Sequence, residues 1–68
     1  MRTPEETGEK LFHLLKEIFN DRDFVIGVMS NASHVDDREE IIRFIEKGEE
    51  ATVENIILLS VYLDEKRV

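Results

Sequence analysis

Near the C-terminus the chain reads TVENIILLSVYLDEK over residues 52–66. Between Ile56 and Leu63 only Ser60 is polar, and Thr52 is a residue type that commonly caps the start of a helix. The pattern predicts a helix that begins after Thr52 and ends near Lys66. A helix that is apolar nearly all round is normally buried on every side, so we expect this one at the centre of a helical bundle.

The apolar residues of this helix are spread over three sides of a helical wheel. They are Val53, Ile56, Leu59 and Leu63 on the first side, Ile57 and Val61 on the second, and Leu58 and Tyr62 on the third. Enclosing all three sides with about 50 other residues is tight, and an uncovered apolar patch on so small a protein usually marks an interface. We therefore predict a protein interface at Ile57, Leu58, Val61 and Tyr62, with a second copy of the chain as one candidate partner.

Two further helices are indicated by capping and stop signals. Thr3, Pro4 and Glu6 match the N-terminal pattern of a first helix, which should end near Asn20. Asp36 or Asp37 is expected to cap another helix that ends where Gly48 follows Lys47. Apolar residues recur at helical spacing in both segments, at Leu11, Leu14, Leu15 and Ile18 and again at Ile41, Ile42, Phe44 and Ile45.

Residues 24–29, FVIGVM, are the ambiguous segment. An Asp cap ahead of them favours a short helix, whereas their β-branched content also suits an extended segment. In a helix, Gly27 would mark either a close helix contact or a weak point. We predict an all-α fold of four short helices in a single domain spanning residues 1–68. The alternative is three helices with residues 24–29 extended.

Length, cysteine content and charge limit the classes of function. The chain has 68 residues, no cysteine and a net charge of −7. A chain this short has a thin core, and the absence of cysteine suits a reducing cytoplasm. The negative charge disfavours nucleic acid and anionic membranes, and no apolar run approaches the roughly 18 residues of a membrane span. We expect a cytoplasmic protein with a protein partner.

The acidity is concentrated in residues 36–50, which contain seven acids and three bases. A surface of this kind favours a basic partner, although helix caps and a solvated helix face explain many such runs. The predicted acidic surface consists of Asp36, Asp37, Glu39, Glu40, Glu46, Glu49 and Glu50.

No combination of residues indicates catalysis. His13 lies one helical turn from Glu9 and from Glu17, but a protein metal site needs more ligands than one helix face supplies. Neither a phosphate-binding glycine loop nor a nucleophile elbow is present. We therefore expect no enzyme activity, no cofactor and no metal.

The last two predicted helices, separated by the Gly48 turn, also suggest a helix-turn-helix. Residues 53–63 contain no Lys or Arg, which the recognition helix of such a motif needs. A nucleic-acid-linked regulator would have to dimerise to combine Arg38, Arg43, Lys47, Lys66 and Arg67 on one surface. The leading hypothesis is a small acidic protein-interaction module without catalytic activity, and this regulator is the alternative.

Overall fold

The computed structural model describes residues 3–48 and 51–66. These residues form four helices, α1 (Pro4–Phe19), α2 (Arg22–Asn31), α3 (Val35–Glu46) and α4 (Val53–Lys66), and contain no strand. The all-α, four-helix prediction is confirmed. The alternative with residues 24–29 extended is wrong, because α2 includes all of them. The molecule measures 25 × 24 × 23 Å along its principal axes.

Side-chain caps start three of the helices. Thr3 Oγ1 accepts a hydrogen bond from Glu6 N at 3.2 Å at the start of α1. Asp21 Oδ1 accepts one from Phe24 N at 3.1 Å, and Thr52 Oγ1 accepts one from Asn55 N at 3.2 Å. Each bond satisfies a backbone donor that has no partner within the first turn of its helix. The predicted caps Thr3 and Thr52 are therefore confirmed.

Helix α3 begins two to three residues earlier than expected. Its N-cap residue is His34, whose side chain makes no capping hydrogen bond with any described residue. Asp36 and Asp37 lie inside the first turn, where the helix dipole favours their negative charge. At the other end Gly48 has φ +73°, and its N–H donates to Ile45 O at 3.0 Å. This is the stop that the sequence predicted.

The helices surround one hydrophobic core. Helix α1 packs on α2 and α3, and α4 packs on the same two helices from another side, so that α1 and α4 make little contact. All four helices contribute, with Leu11, Leu15, Val25, Val28, Ala32, Ile41, Ile42, Ile45, Ile56 and Leu63 as the buried hydrophobic residues.

The expectation that α4 lies at the centre of the bundle is wrong. Only Ile56, Ser60 and Leu63 are buried in α4, and these three residues lie on one side of it. The other helices of the described chain are short, at 16, 10 and 12 residues, and α4 packs mainly against the two shorter ones. Two short helices cover one side of α4 and leave the opposite side in solvent.

Candidate protein-binding surface

The exposed side of α4 carries four neighbouring apolar residues. Ile57 is 42% exposed, Leu58 60%, Val61 38% and Tyr62 58%. They occupy positions i, i+1, i+4 and i+5, which places them in two successive turns on one broad face. These are the residues for which the sequence predicted an interface, and we call them the α4 outer face.

Two other positions of α4 show the limits of the helical wheel. Val53 shares a side of the wheel with Ile56 and Leu63, which are buried, but is itself 45% exposed, whereas the polar residue Ser60 is buried. The Ser60 hydroxyl donates to Ile57 O at 2.9 Å, which satisfies this buried polar group within the helix. A wheel gives the direction of a side chain around a helix, but not how far the neighbouring helices extend along it.

A groove of ≈ 250 Å³ runs between α2 and α4 beside the outer face. Ile57 borders both, so the groove and the α4 outer face form one surface. Apart from its chain neighbours and the nearby backbone of α2, no atom of the described residues lies within 4 Å of the position that a Cβ on Gly27 would occupy. The sequence does not reveal this groove, for which Gly27 is the one signal. The lining residues are Asp23, Phe24, Gly27, Val28, Asn31, Ile57 and Ser60.

Only some of the carboxylates predicted to form the acidic surface on α3 are exposed. Asp36, Glu40 and Glu46 are exposed and Glu39 is half-buried, whereas Asp37 is only 5% exposed, which corrects its assignment to the surface. Glu49 and Glu50 were also predicted there and lie outside the described residues.

Basic side chains neutralise part of this surface. Arg43 pairs with Glu40 at 2.8 Å, and Lys10 of α1 pairs with Glu46 at 3.0 Å. Both pairs are at least partly exposed to solvent, so each contributes about 0–1 kcal/mol to stability. Their main effect is on the local charge, because two of the exposed carboxylates already have a cationic neighbour.

A wider cavity of ≈ 400 Å³ lies between the start of α3 and the end of α4. Asp36, Asp37 and Glu40 line it together with Leu63 and Lys66. Within residues 3–48 and 51–66 there is no group of three or more His, Asp or Glu side chains placed to hold a metal ion.

Three of the basic residues considered for nucleic-acid binding already contact other residues of the fold. Arg38 Nε donates to Ala32 O at 2.7 Å, in a half-buried position inside the fold. Arg43 pairs with Glu40, and Lys66 Nζ lies 5.9 Å from the centre of the Tyr62 ring. Lys47 is exposed, and Arg67 lies outside the described residues.

None of the helices in the described ranges combines the length and the apolar character that crossing a bilayer requires. Comparison of the chain with protein-family models, with curated proteins and with solved structures found no match.

Proposed function

We propose that this chain is a small, non-catalytic, cytoplasmic module that binds another protein through the α4 outer face. The observation that carries the proposal is the exposure of Ile57, Leu58, Val61 and Tyr62 as one contiguous apolar surface beside a groove. A contiguous apolar patch rimmed by polar residues marks an interaction site more often than scattered apolar residues do.

Covering this face is energetically favourable. Each side chain is about half exposed, and full burial of a large apolar side chain contributes about 1.5–3 kcal/mol, so covering the exposed part contributes about 1 kcal/mol per residue. Tyr62 adds a polar hydroxyl to a large apolar ring, a combination that is enriched at protein interfaces. The surface is therefore suited to a partner with its own apolar stripe, either a second copy of the chain or a different protein.

The remaining features support the other parts of the proposal. The chain has no cysteine, in keeping with a reducing compartment. Its net charge of −7 favours a basic partner over nucleic acid. The connection between α3 and α4 consists of residues 47–52. This connection is longer than the three or four residues that join the two helices of a helix-turn-helix. We therefore propose no second function.

The proposal is tested by mapping contacts on the isotope-labelled protein by NMR. The probe is a helical peptide of about 18 residues with Leu along one face and Gln elsewhere, long enough to form a helix. A dilution series of the protein alone tests for self-association. Amide shifts that cluster on α4 and the groove in either experiment support the proposal.

Two matched pairs of variants control for non-specific hydrophobic binding. Ile57→Ser and Val61→Ser should abolish the shifts, while Ile18→Ser and Ile26→Ser should leave them unchanged. Ile18 and Ile26 are equally exposed, at 48% and 51%, but they lie on α1 and α2 outside the groove. The proposal fails if neither experiment shifts α4, or if all four variants behave alike.

A further inference from the structure

The groove between α2 and α4 has the size of a side-chain pocket. At ≈ 250 Å³ it is smaller than the roughly 300–1,000 Å³ of common small-molecule sites. An apolar cavity of about 150 Å³ already accommodates a benzene ring, so one large apolar side chain fits here. The bare Gly27 leaves the middle of the groove open, and Phe24, Val28 and Ile57 supply apolar walls.

Carboxylates stand at both ends of the adjoining α4 outer face. Glu54 is one turn before Leu58, and Glu65 is one turn after Val61. Both are exposed, as is Asp23, which borders the groove on the α2 side. Among the described residues of α4 the only cation is Lys66. We call Asp23, Glu54 and Glu65 the rim acids.

These charges disfavour a second copy of the chain as the occupant. In a two-fold dimer the same patch meets itself, so an antiparallel contact of two α4 helices brings Glu54 of one copy beside Glu65 of the other. A parallel contact brings each of these residues beside its own counterpart. In both arrangements carboxylates face carboxylates with Lys66 as the one cation among the described residues of α4 to offset them, and the excess of like charge at the interface opposes association.

We propose that the groove and the α4 outer face bind an amphipathic helix of a different protein, one whose apolar stripe is flanked by Lys or Arg. One large apolar side chain of that helix occupies the groove above Gly27, and its basic residues lie beside the rim acids. This mode of recognition, in which a helix lies in a groove, needs apolar anchors at i, i+3 or i+4 and i+7. The inference rests on the proposed function and identifies the partner's chemistry.

The experiment compares three peptides of about 18 residues that share one Leu face and differ only in the polar face, which is Lys, Gln or Glu. Binding is measured by calorimetry at about 0.05 M and about 0.5 M NaCl, because exposed charges are strongly screened at the higher salt concentration. The Lys peptide should bind on the order of 10-fold more tightly than the Gln peptide at low salt, because it forms three additional exposed ion pairs. The Glu peptide should bind most weakly, and high salt should reduce the difference.

Matched charge variants separate local recognition from net charge. The rim variant carries Asp23→Asn, Glu54→Gln and Glu65→Gln, and the control carries Glu5→Gln, Glu9→Gln and Glu17→Gln. Each variant loses three exposed carboxylates, but the control residues are on α1, which makes little contact with α4. The rim variant should lose the preference for Lys over Gln, while the control should keep it within about 2-fold because distant charges are screened.

The outcomes distinguish this inference from the proposed function. Equal binding of the Lys and Gln peptides, or equal effects of the two charge variants, overturns the inference and leaves the proposed function intact. A dimer that covers α4 and tightens as salt rises overturns it as well, since a second copy is then the occupant. If no peptide binds and no dimer forms, the proposed function itself fails.

Discussion

The guanidinium of Arg38 lies directly over Gly8. A Cβ on Gly8 would be 2.6 Å from Arg38 Nη1, which is closer than real Cβ contacts allow. The same side chain donates from Nε to Ala32 O at 2.7 Å, at the C-terminal end of α2. One residue of α3 therefore connects α1 with the end of α2, and this close approach accounts for a glycine in the second turn of α1.

This arrangement predicts that Gly8→Ala has opposite effects in two backgrounds. Alanine favours a helix over glycine by about 1 kcal/mol, but here its methyl group would displace the guanidinium and weaken a hydrogen bond to a charged donor of about 1.5–3 kcal/mol. We expect Gly8→Ala to lower the free energy of unfolding by about 1 kcal/mol in the wild type. In Arg38→Ala it should raise that free energy by about 1 kcal/mol.

Urea unfolding of the wild type, both single variants and the double variant measures the coupling. Arg38→Lys provides a further background, because Lys has no planar guanidinium to lie over the helix. The interpretation is wrong if Gly8→Ala changes stability by the same amount with and without the Arg38 side chain.

A charged side chain should be tolerated at one residue of α4 and should unfold the protein at the next residue. Tyr62 is 58% exposed and Leu63 is 8% exposed. Tyr62→Glu should leave the helical circular dichroism unchanged and alter the free energy of unfolding by about 0.5 kcal/mol or less. Leu63→Glu should unfold the chain, because an unpaired buried charge costs several kcal/mol. If Tyr62→Glu also unfolds the protein, α4 is buried on the side that the structure leaves exposed.

The helices themselves could be predicted because their signals are local. Thr3 and Thr52 cap their helices through bonds that span three residues, and Gly48 ends α3 through its own backbone conformation. The start of α3 was missed for a related reason. His34 makes no side-chain capping bond with the described residues, and Asp36 and Asp37, which resemble caps in the sequence, lie inside the first turn.

The position of α4 and the burial of Asp37 depend on distant parts of the chain. An apolar helix is enclosed only if enough other helix surface surrounds it, and periodicity within α4 does not contain that information. Asp37 is only 5% exposed, and it lines the cavity between the start of α3 and the end of α4 together with Leu63 and Lys66. The four residues of the α4 outer face are exposed, and their role as an interface stays a prediction. The groove depends on the pairing of α2 with α4, which the sequence does not give.

Gly27→Ala should stabilise the protein and weaken peptide binding. The space around a Cβ at this position is open among the described residues, so the helix gains about 0.8–1 kcal/mol without a clash. The same methyl group narrows the groove that we propose as the anchor pocket. Urea unfolding and calorimetry with the Lys peptide measure the two effects.

Gly48→Ala is the control with the opposite expected result. It should lower the free energy of unfolding by about 1 kcal/mol, since φ is +73° at Gly48. A loss of stability in Gly27→Ala would mean that α2 and α4 pack more closely than the groove implies.

Removing the hydroxyl group of Thr7 should stabilise the protein. The residue is fully buried in α1, and its Oγ1 has no hydrogen-bond partner among the described residues. Valine keeps the shape of the side chain, so Thr7→Val removes the desolvation penalty of an unpaired polar group, which is about 1–3 kcal/mol. We expect the free energy of unfolding to rise by about 1 kcal/mol, with a corresponding rise in the midpoint of urea unfolding.

Thr52→Val is the matched control. It should lower the free energy of unfolding by about 1 kcal/mol, because the Thr52 hydroxyl caps α4. If both substitutions destabilise the protein, the Thr7 hydroxyl is hydrogen-bonded in solution, with water as the nearest candidate partner.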